Sequence, residues 1–313
     1  MTVADIPTSR MARFLKMRMM RRLLDRVRGT EDFATFWHGP LDPITYTCLA
    51  SFPFHGVPLR LYCYQPPEKV PDGVTLIDAH EIIADEGMLQ RYVVRGKPSL
   101  SKFSNYFRYR LIQKTGACWV DSDMLCLRKP DFIGKPILFG TQAEEDDASR
   151  CNGAVLKLPR RHRMLRELEE RARSGIDIDT RWGVLGPMLI TELASKHGID
   201  AVAEPRDAFY PLRPREFWKV LLPEHRDEVV HLATRSTFLH LWHELYRRSK
   251  YNKERAPPKG SFLYQACATI GTLDMFLRPY RPEAIRTRYA ERIEKARSAH
   301  HNVTGGYDSD EPA

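Results

Sequence analysis

Short apolar runs alternate with longer stretches of helical periodicity from residue 33 onward, the pattern of a sheet covered by helices. FATFW (33–37), PLRLYCY (58–64), TLI (75–77), ACWV (117–120), MLCLRKP (124–130), PILFG (136–140) and GAVLKLP (153–159) read as strands. Helices are expected at about 42–55, 79–90, 99–115, 160–173, 184–197, 214–222, 261–271 and 282–299. The clearest is SLSKFSNYFRYRLIQKT (99–115), which opens on a serine cap and ends at Gly116. The tail HHNVTGGYDSDEPA (300–313) lacks apolar content and is expected to be disordered. The fold class is therefore α/β.

Composition narrows this only a little. A chain of 313 residues, 42% apolar, has the material for one elaborated α/β domain or two ordinary ones, and no apolar stretch approaches the about 20 residues of a membrane span. The net charge of +9 changes the picture more, because residues 10–28 carry seven of those nine charges. Phe14, Met17, Met20, Leu24 and Val27 form one stripe of a helix that is cationic elsewhere. Such a helix either packs its stripe on the protein and solvates its arginines, or lies on an anionic membrane surface as a peripheral contact. The remaining body is close to neutral, so no nucleic-acid partner is expected. Six scattered cysteines without zinc spacing, several inside apolar runs, fit a reducing cytoplasm.

The chemistry concentrates at Asp121-Ser122-Asp123. Three Asp-X-Asp strings occur, so the string alone discriminates nothing: Asp308/Asp310 lies in the polar tail, Asp177/Asp179 in a loop between helices, and Asp121/Asp123 alone ends an apolar strand. Two carboxylates at i and i+2 face one side, and their mutual repulsion asks for a cation. Oxygen ligands of this kind suit Mg²⁺ or Mn²⁺ holding a diphosphate. On the preceding helix Ser101, Ser104, Asn105 and Arg108 share a face, opposite Phe103, Phe107 and Leu111. That polar stripe beside the acidic turn suits the hydroxyls and charge of a nucleotide-sugar. Glu144 to Asp147 reads as a solvated acidic loop, with acceptor contact as the other reading.

The block FSNYFRYRLIQKTGACWVDSDMLCLRKP (103–130) resembles the family 32 glycosyltransferases and their bacterial capsular-polysaccharide-type relatives. Their sugar-binding region reads SD-x-x-R, a helix, then GG-x-x-x-D-x-D. FWHGPL (36–41), CNGAVLKLP (151–159), GVLGPMLITEL (183–193), TFLHLWHELYRR (237–248) and PPKGSFLYQ (257–265) extend the likeness over residues 33–265. Asn105 stands where the family has Asp, and Ala117 where it has its second Gly.

The resemblance implies a GT-A-type fold with a mixed, mostly parallel sheet, divalent-metal dependence, and retention of anomeric configuration. It implies transfer of a hexose or N-acetylhexosamine from a nucleoside diphosphate sugar, UDP-sugar first, to a polysaccharide, glycan or lipid-linked acceptor. Under it Asp123 binds the metal, Asp121 bridges metal and ribose, and His240 is a third ligand. Arg108, Ser104 and Asn105 position the donor, Trp37 and Gly39 form the nucleotide-facing turn, and Asn152, Trp242 and Ser261 are further binding residues. The implied division is a basic helix at 1–30, a catalytic domain at 31–280, and a charged helix with a tail at 281–313. Two other classes remain open. A non-catalytic nucleotide-sugar binder is motivated by Asn105 and Ala117. An aspartyl-phosphate phosphatase needs a small residue where this chain has Leu125. No GxSxG, P-loop or HExxH string is present.

Overall fold

A computed structural model describes residues 33–132, 134–142 and 150–304, with side chains through 294. The basic helix expected at 10–28, the Glu144–Asp147 loop and Asp308/Asp310 lie outside the described residues. The chain divides into two compact units: residues 33–211 with 235–240, and residues 212–234 with 241–304.

The first unit is α/β. Its main sheet contains β1 (Phe33–Phe36), β2 (Leu59–Cys63), β3 (Val74–Asp78), β6 (Cys118–Val120), β8 (Leu138–Thr141) and β9 (Cys151–Lys157), in the order β3-β2-β1-β6-β9-β8. β3, β2, β1 and β6 are parallel neighbours, and β9 runs antiparallel to both β6 and β8. This mixed, mostly parallel sheet flanked by helices fits the GT-A-like architecture that the family resemblance implies. A hairpin of β4 (Val93–Val94) and β5 (Lys97–Pro98), and an antiparallel pair of β7 (Met124–Cys126) with β10 (Phe238–His240), stand apart from it.

β1 explains why its sequence is apolar throughout. Successive strand residues face opposite sides of a sheet, and here both sides are covered. Phe33 meets Phe52 of α1 (Pro43–Phe54) and Phe238 of β10 at ring-centroid distances of 5.9 and 5.8 Å. Phe36 meets Phe103 and Phe107 of α2 (Leu100–Thr115) at 5.5 and 4.4 Å. Each such side chain contributes about 1.5–3 kcal/mol by leaving water. α2 begins where the Ser99 side chain accepts from the Lys102 N–H, and ends at Gly116, whose φ of 75° is costly for any residue with a Cβ.

The chain reverses its direction of growth at β1. β2 and β3 extend the sheet on one side, and the next main-sheet strand, β6, pairs on the other, with Phe33 opposite Cys118 and Ala34 opposite Trp119. Such a switch point opens a crevice at the carboxyl ends of the two strands. Trp37 follows β1 there and Asp121 follows β6.

Three expected helices differ, the one at 214–222 being a 3-10 segment. At 79–90 the chain makes a 3-10 turn (Ala79–Glu81) and a short helix (Met88–Arg91), because the Asp78 and Asp85 side chains accept from the N–H groups of His80 and Gly87 and fold the backbone into turns. At 184–197 a π-helical segment (Val184–Met188) precedes α4 (Leu189–Lys196), because Gly186 adopts non-helical angles and Pro187 lacks an N–H. α3 is Arg163–Arg173.

The second unit is helical, with a 3-10 segment (Pro214–Leu221), α5 (Arg226–Ala233), α6 (His243–Arg248), α7 (Phe262–Ile270) and α8 (Pro282–Thr304). Phe217 packs on both Tyr246 and Tyr289 at 5.2 Å, and the buried Lys219 ammonium is neutralised by Glu216 and Glu228. All six cysteines are buried and free, and burial pushes the Cys63 and Cys126 thiols up to about 12, so neither is a nucleophile at neutral pH. No helix among the described residues is long and apolar enough to cross a membrane.

Candidate metal and nucleotide-sugar site

Strand alternation places Trp119 and Asp121 on one side of β6, toward α2. The Trp119 indole N–H donates to Asp121 Oδ1 at 2.6 Å, and Arg108 Nη2 donates to the same oxygen at 2.7 Å. The guanidinium lies over the Trp119 ring, 5.1 Å from its centroid, and its Nη1 donates to the Gly153 carbonyl at 2.6 Å. Arg108 therefore ties α2, β6 and β9 together around one carboxylate. Both bonds to Asp121 use Oδ1. The Asp121 N–H donates to Ala154 O at 2.7 Å, which fixes the backbone at the strand's end.

Asp123 immediately precedes β7. In the β7–β10 pair His240 stands opposite Met124, which brings the imidazole to the acidic turn although 117 positions separate it from Asp123. His240 Nε2 lies 3.2 Å from Asp123 Oδ1. One ligand atom each from Asp121, Asp123 and His240 fall within 4.8 Å of one another. The Tyr210 ring packs 5.8 Å from the imidazole.

The electrostatics of this cluster favour a cation. Although 26% of the Asp121 side chain remains exposed, burial of its carboxyl raises the pKa above the usual carboxylate range, and the Asp123 charge raises it further. Arg108, His240 and the Trp119 hydrogen bond oppose that rise without overcoming it. Two carboxylates and one imidazole form an oxygen- and nitrogen-donor set suited to Mn²⁺, and to Mg²⁺ through the carboxylates. The residues present fit such an ion.

The remaining residues singled out in the sequence are distributed as follows. The Trp37 indole N–H donates to Pro40 O at 3.2 Å and closes a turn in which Gly39 takes a φ of 90°. Ser104 and Asn105 are half-buried on α2, and Asn105 Nδ2 donates to Ser101 O at 3.0 Å. Asn152 is buried, accepts from the Ala154 N–H at 2.7 Å and donates to Gln142 Oε1, so its amide braces β9. Trp242 and Ser261 belong to the second unit. Trp242 begins α6 with a left-handed φ of 56°, its indole N–H donating to Leu212 O at 3.3 Å. Ser261 is buried and caps α7 by accepting from the Tyr264 N–H at 3.3 Å. The competing pair has other work: Asp177 pairs with Arg91 at 2.6 Å, and Asp179 accepts from the N–H groups of Arg95 and Gly96.

Sequence reasoning missed Trp119, Gly153 and Tyr210. Trp119 was two positions before Asp121 and hence on its side of the strand, and a glycine inside GAVLKLP signals close approach of another group. A Cβ on Gly153 would lie 2.5 Å from Ile190 Cδ1 and 2.6 Å from Arg108 Nη1. Gly153→Ala is therefore expected to destabilise the fold by about 1–3 kcal/mol in chemical denaturation, since neither neighbour has room to retreat.

No protein-family model matches the chain. It is 26% identical over 223 residues to lactosylceramide 4-alpha-galactosyltransferase of Homo sapiens, and equally to that of Pan troglodytes, the match covering 64% of this chain. The chain spans 58% of the length of these curated relatives. Among solved structures, PaToxG glycosyltransferase aligns with a TM-score of 0.36 at 10% identity, covering 61% of this chain and 83% of that one. The chain is thus similar in sequence to a glycosyltransferase, and an Asp-X-Asp pair with a histidine stands at the switch point of its sheet.

Proposed function

We propose that the protein is a metal-dependent glycosyltransferase that moves a hexosyl group from a nucleoside diphosphate sugar to a hydroxyl of a glycan or lipid-linked acceptor. The observation that carries this reading is the Asp121–Asp123–His240 cluster at the turn after β6. Asp121, Asp123 and His240 would hold Mn²⁺ or Mg²⁺. When bound, such an ion supplies charge neutralisation at the leaving diphosphate.

The chain's own residues do the positioning. Arg108 and Trp119 lock Asp121 through Oδ1, and the stripe of Ser104 and Asn105 offers donors and acceptors to the donor sugar's hydroxyls. Trp37, just after the neighbouring strand, would stack on the base. In the transfer the sugar's anomeric bond to the diphosphate breaks and one to the acceptor oxygen forms. The acceptor's proton leaves on the released diphosphate. Retention of configuration follows the family resemblance. The similarity to enzymes named for α-galactosyl transfer to lactosylceramide makes UDP-galactose and a lactoside the first pair to try.

Nucleoside diphosphate release from a panel of nucleotide-sugars, with Mn²⁺ or Mg²⁺, is the direct assay. At least one donor is expected to be consumed, and EDTA is expected to stop it. Nucleotide binding without consumption of any donor would instead make the protein a non-catalytic relative.

A further inference from the structure

The residues of the cation cluster come from two separate sheets. Asp121 follows β6 of the main sheet, whereas Asp123 precedes β7 and His240 ends β10, the two strands of the second sheet. A cation held by all three therefore depends on where the imidazole stands relative to Asp121. Residues 206–210, a single helical turn (Arg206–Phe209) followed by Tyr210, touch both sides. On one side they follow the chain into β10 step by step. The Thr237 N–H donates to Ala208 O at 2.9 Å, the Phe209 ring meets Phe238 at 5.8 Å, and the Tyr210 ring meets the His240 imidazole at 5.8 Å.

On the other side Tyr210 reaches β9. The Val155 N–H donates to its hydroxyl at 3.3 Å, and the hydroxyl donates to Asn152 O at 3.5 Å, where β8 and β9 shift register between Leu138 and Gly140. The two carbonyls in between hold the carboxylate half of the cluster: Gly153 O accepts from Arg108, and Ala154 O accepts from the Asp121 N–H. Four consecutive residues of β9 thus seat Asp121 and Tyr210 together, and Tyr210 packs against His240. The ring is fully buried, and burial raises the phenol above its ordinary pKa, so the hydroxyl stays protonated. Gly140 leaves it room, since a Cβ there would stand 3.1 Å from Tyr210 Cε2 and 2.8 Å from Phe209 Cδ2. A side chain fixed at its hydroxyl end and packed on an imidazole restricts that imidazole before any metal arrives, which lowers the entropy lost on coordination.

We propose that Tyr210 is a positioning residue for His240, holding the imidazole where one Mn²⁺ engages it together with Asp121. This rests on the metal-dependent reading of the Asp121–Asp123 site. Electron spin echo envelope modulation of Mn²⁺ on the full chain, with UDP present, tests it, because a coordinated histidine nitrogen modulates the echo and carboxylate oxygens do not. The wild type is expected to show one strongly coupled nitrogen. Tyr210→Leu is expected to lose that coupling and to bind Mn²⁺ about tenfold more weakly through the carboxylates. Tyr210→Phe keeps the ring and is expected to keep the coupling. Gly140→Ala crowds the ring while leaving Tyr210 in place, and is expected to reduce the coupling. Lost stability alone would leave the coupling intact in the molecules that remain folded, so circular dichroism on the same samples separates positioning from unfolding.

Full nitrogen coupling with wild-type Mn²⁺ affinity in Tyr210→Leu would overturn the assignment; should that variant not fold, the same result in Gly140→Ala would do so. A wild type that binds Mn²⁺ without nitrogen coupling would also overturn it, while leaving the carboxylate site and the transferase reading in place. A wild type that takes up no Mn²⁺ would sink the metal-dependent reading itself, and the positioning role with it.

Discussion

Arg108→Met is expected to lower the stability of the fold by about 3 kcal/mol, read by chemical denaturation with a chelator present. That is the lower end of the cost of removing one partner from a buried pair, because 26% of the Asp121 side chain still reaches solvent while only 7% of the Arg108 side chain does. The loss has three parts. Asp121 is left beside Asp123 without the guanidinium that opposes its rise in pKa, so its charged form is disfavoured further. The Gly153 carbonyl loses its donor, and the Trp119 ring loses the cation over it. Replacing the stranded carboxyl as well, in Arg108→Met/Asp121→Asn, is expected to recover part of the loss. Wild-type stability in the single variant would show that the pair does not hold α2, β6 and β9 together.

Asp123→Ala is expected to reduce donor consumption by at least about 10²-fold at saturating donor, with the fold retained. Its carboxylate approaches His240 at 3.2 Å at a turn rather than inside a strand, so the β7–β10 pairing survives its removal. The effect should appear mainly in kcat, because charge on the departing diphosphate is greatest in the transition state. Equal activity in the variant would remove Asp123 from the machinery. Circular dichroism and the melting temperature distinguish this from unfolding.

The path from Ser99 to Cys126 was legible in the sequence because each boundary has a local cause: a serine cap, a glycine in the left-handed region, and an apolar run too short for a helix. The acidic turn followed from the same reading, since only Asp121/Asp123 closes a strand. What the sequence concealed are consequences of packing. Arg108 looked like the end of a polar helix face, yet it is 5% exposed, because the partner carboxylate and the Gly153 carbonyl lie on separate strands. His240 entered through resemblance alone, since nothing local reveals that β10 pairs with β7. The helix expected at 79–90 failed for the opposite reason: aspartate side chains competed for backbone N–H groups and won over the apolar periodicity. Asn152 has a role the sequence did not signal, since its amide bonds the Ala154 N–H of its own strand and Gln142.

Titration of Mn²⁺ followed by electron paramagnetic resonance, on the full chain with UDP present, reaches the central assignment most directly. Wild-type protein should take up one Mn²⁺ per chain at a site strengthened by UDP, and Asp121→Asn/Asp123→Asn should lose it while remaining folded. Undiminished Mn²⁺ uptake by that double variant would contradict the assignment.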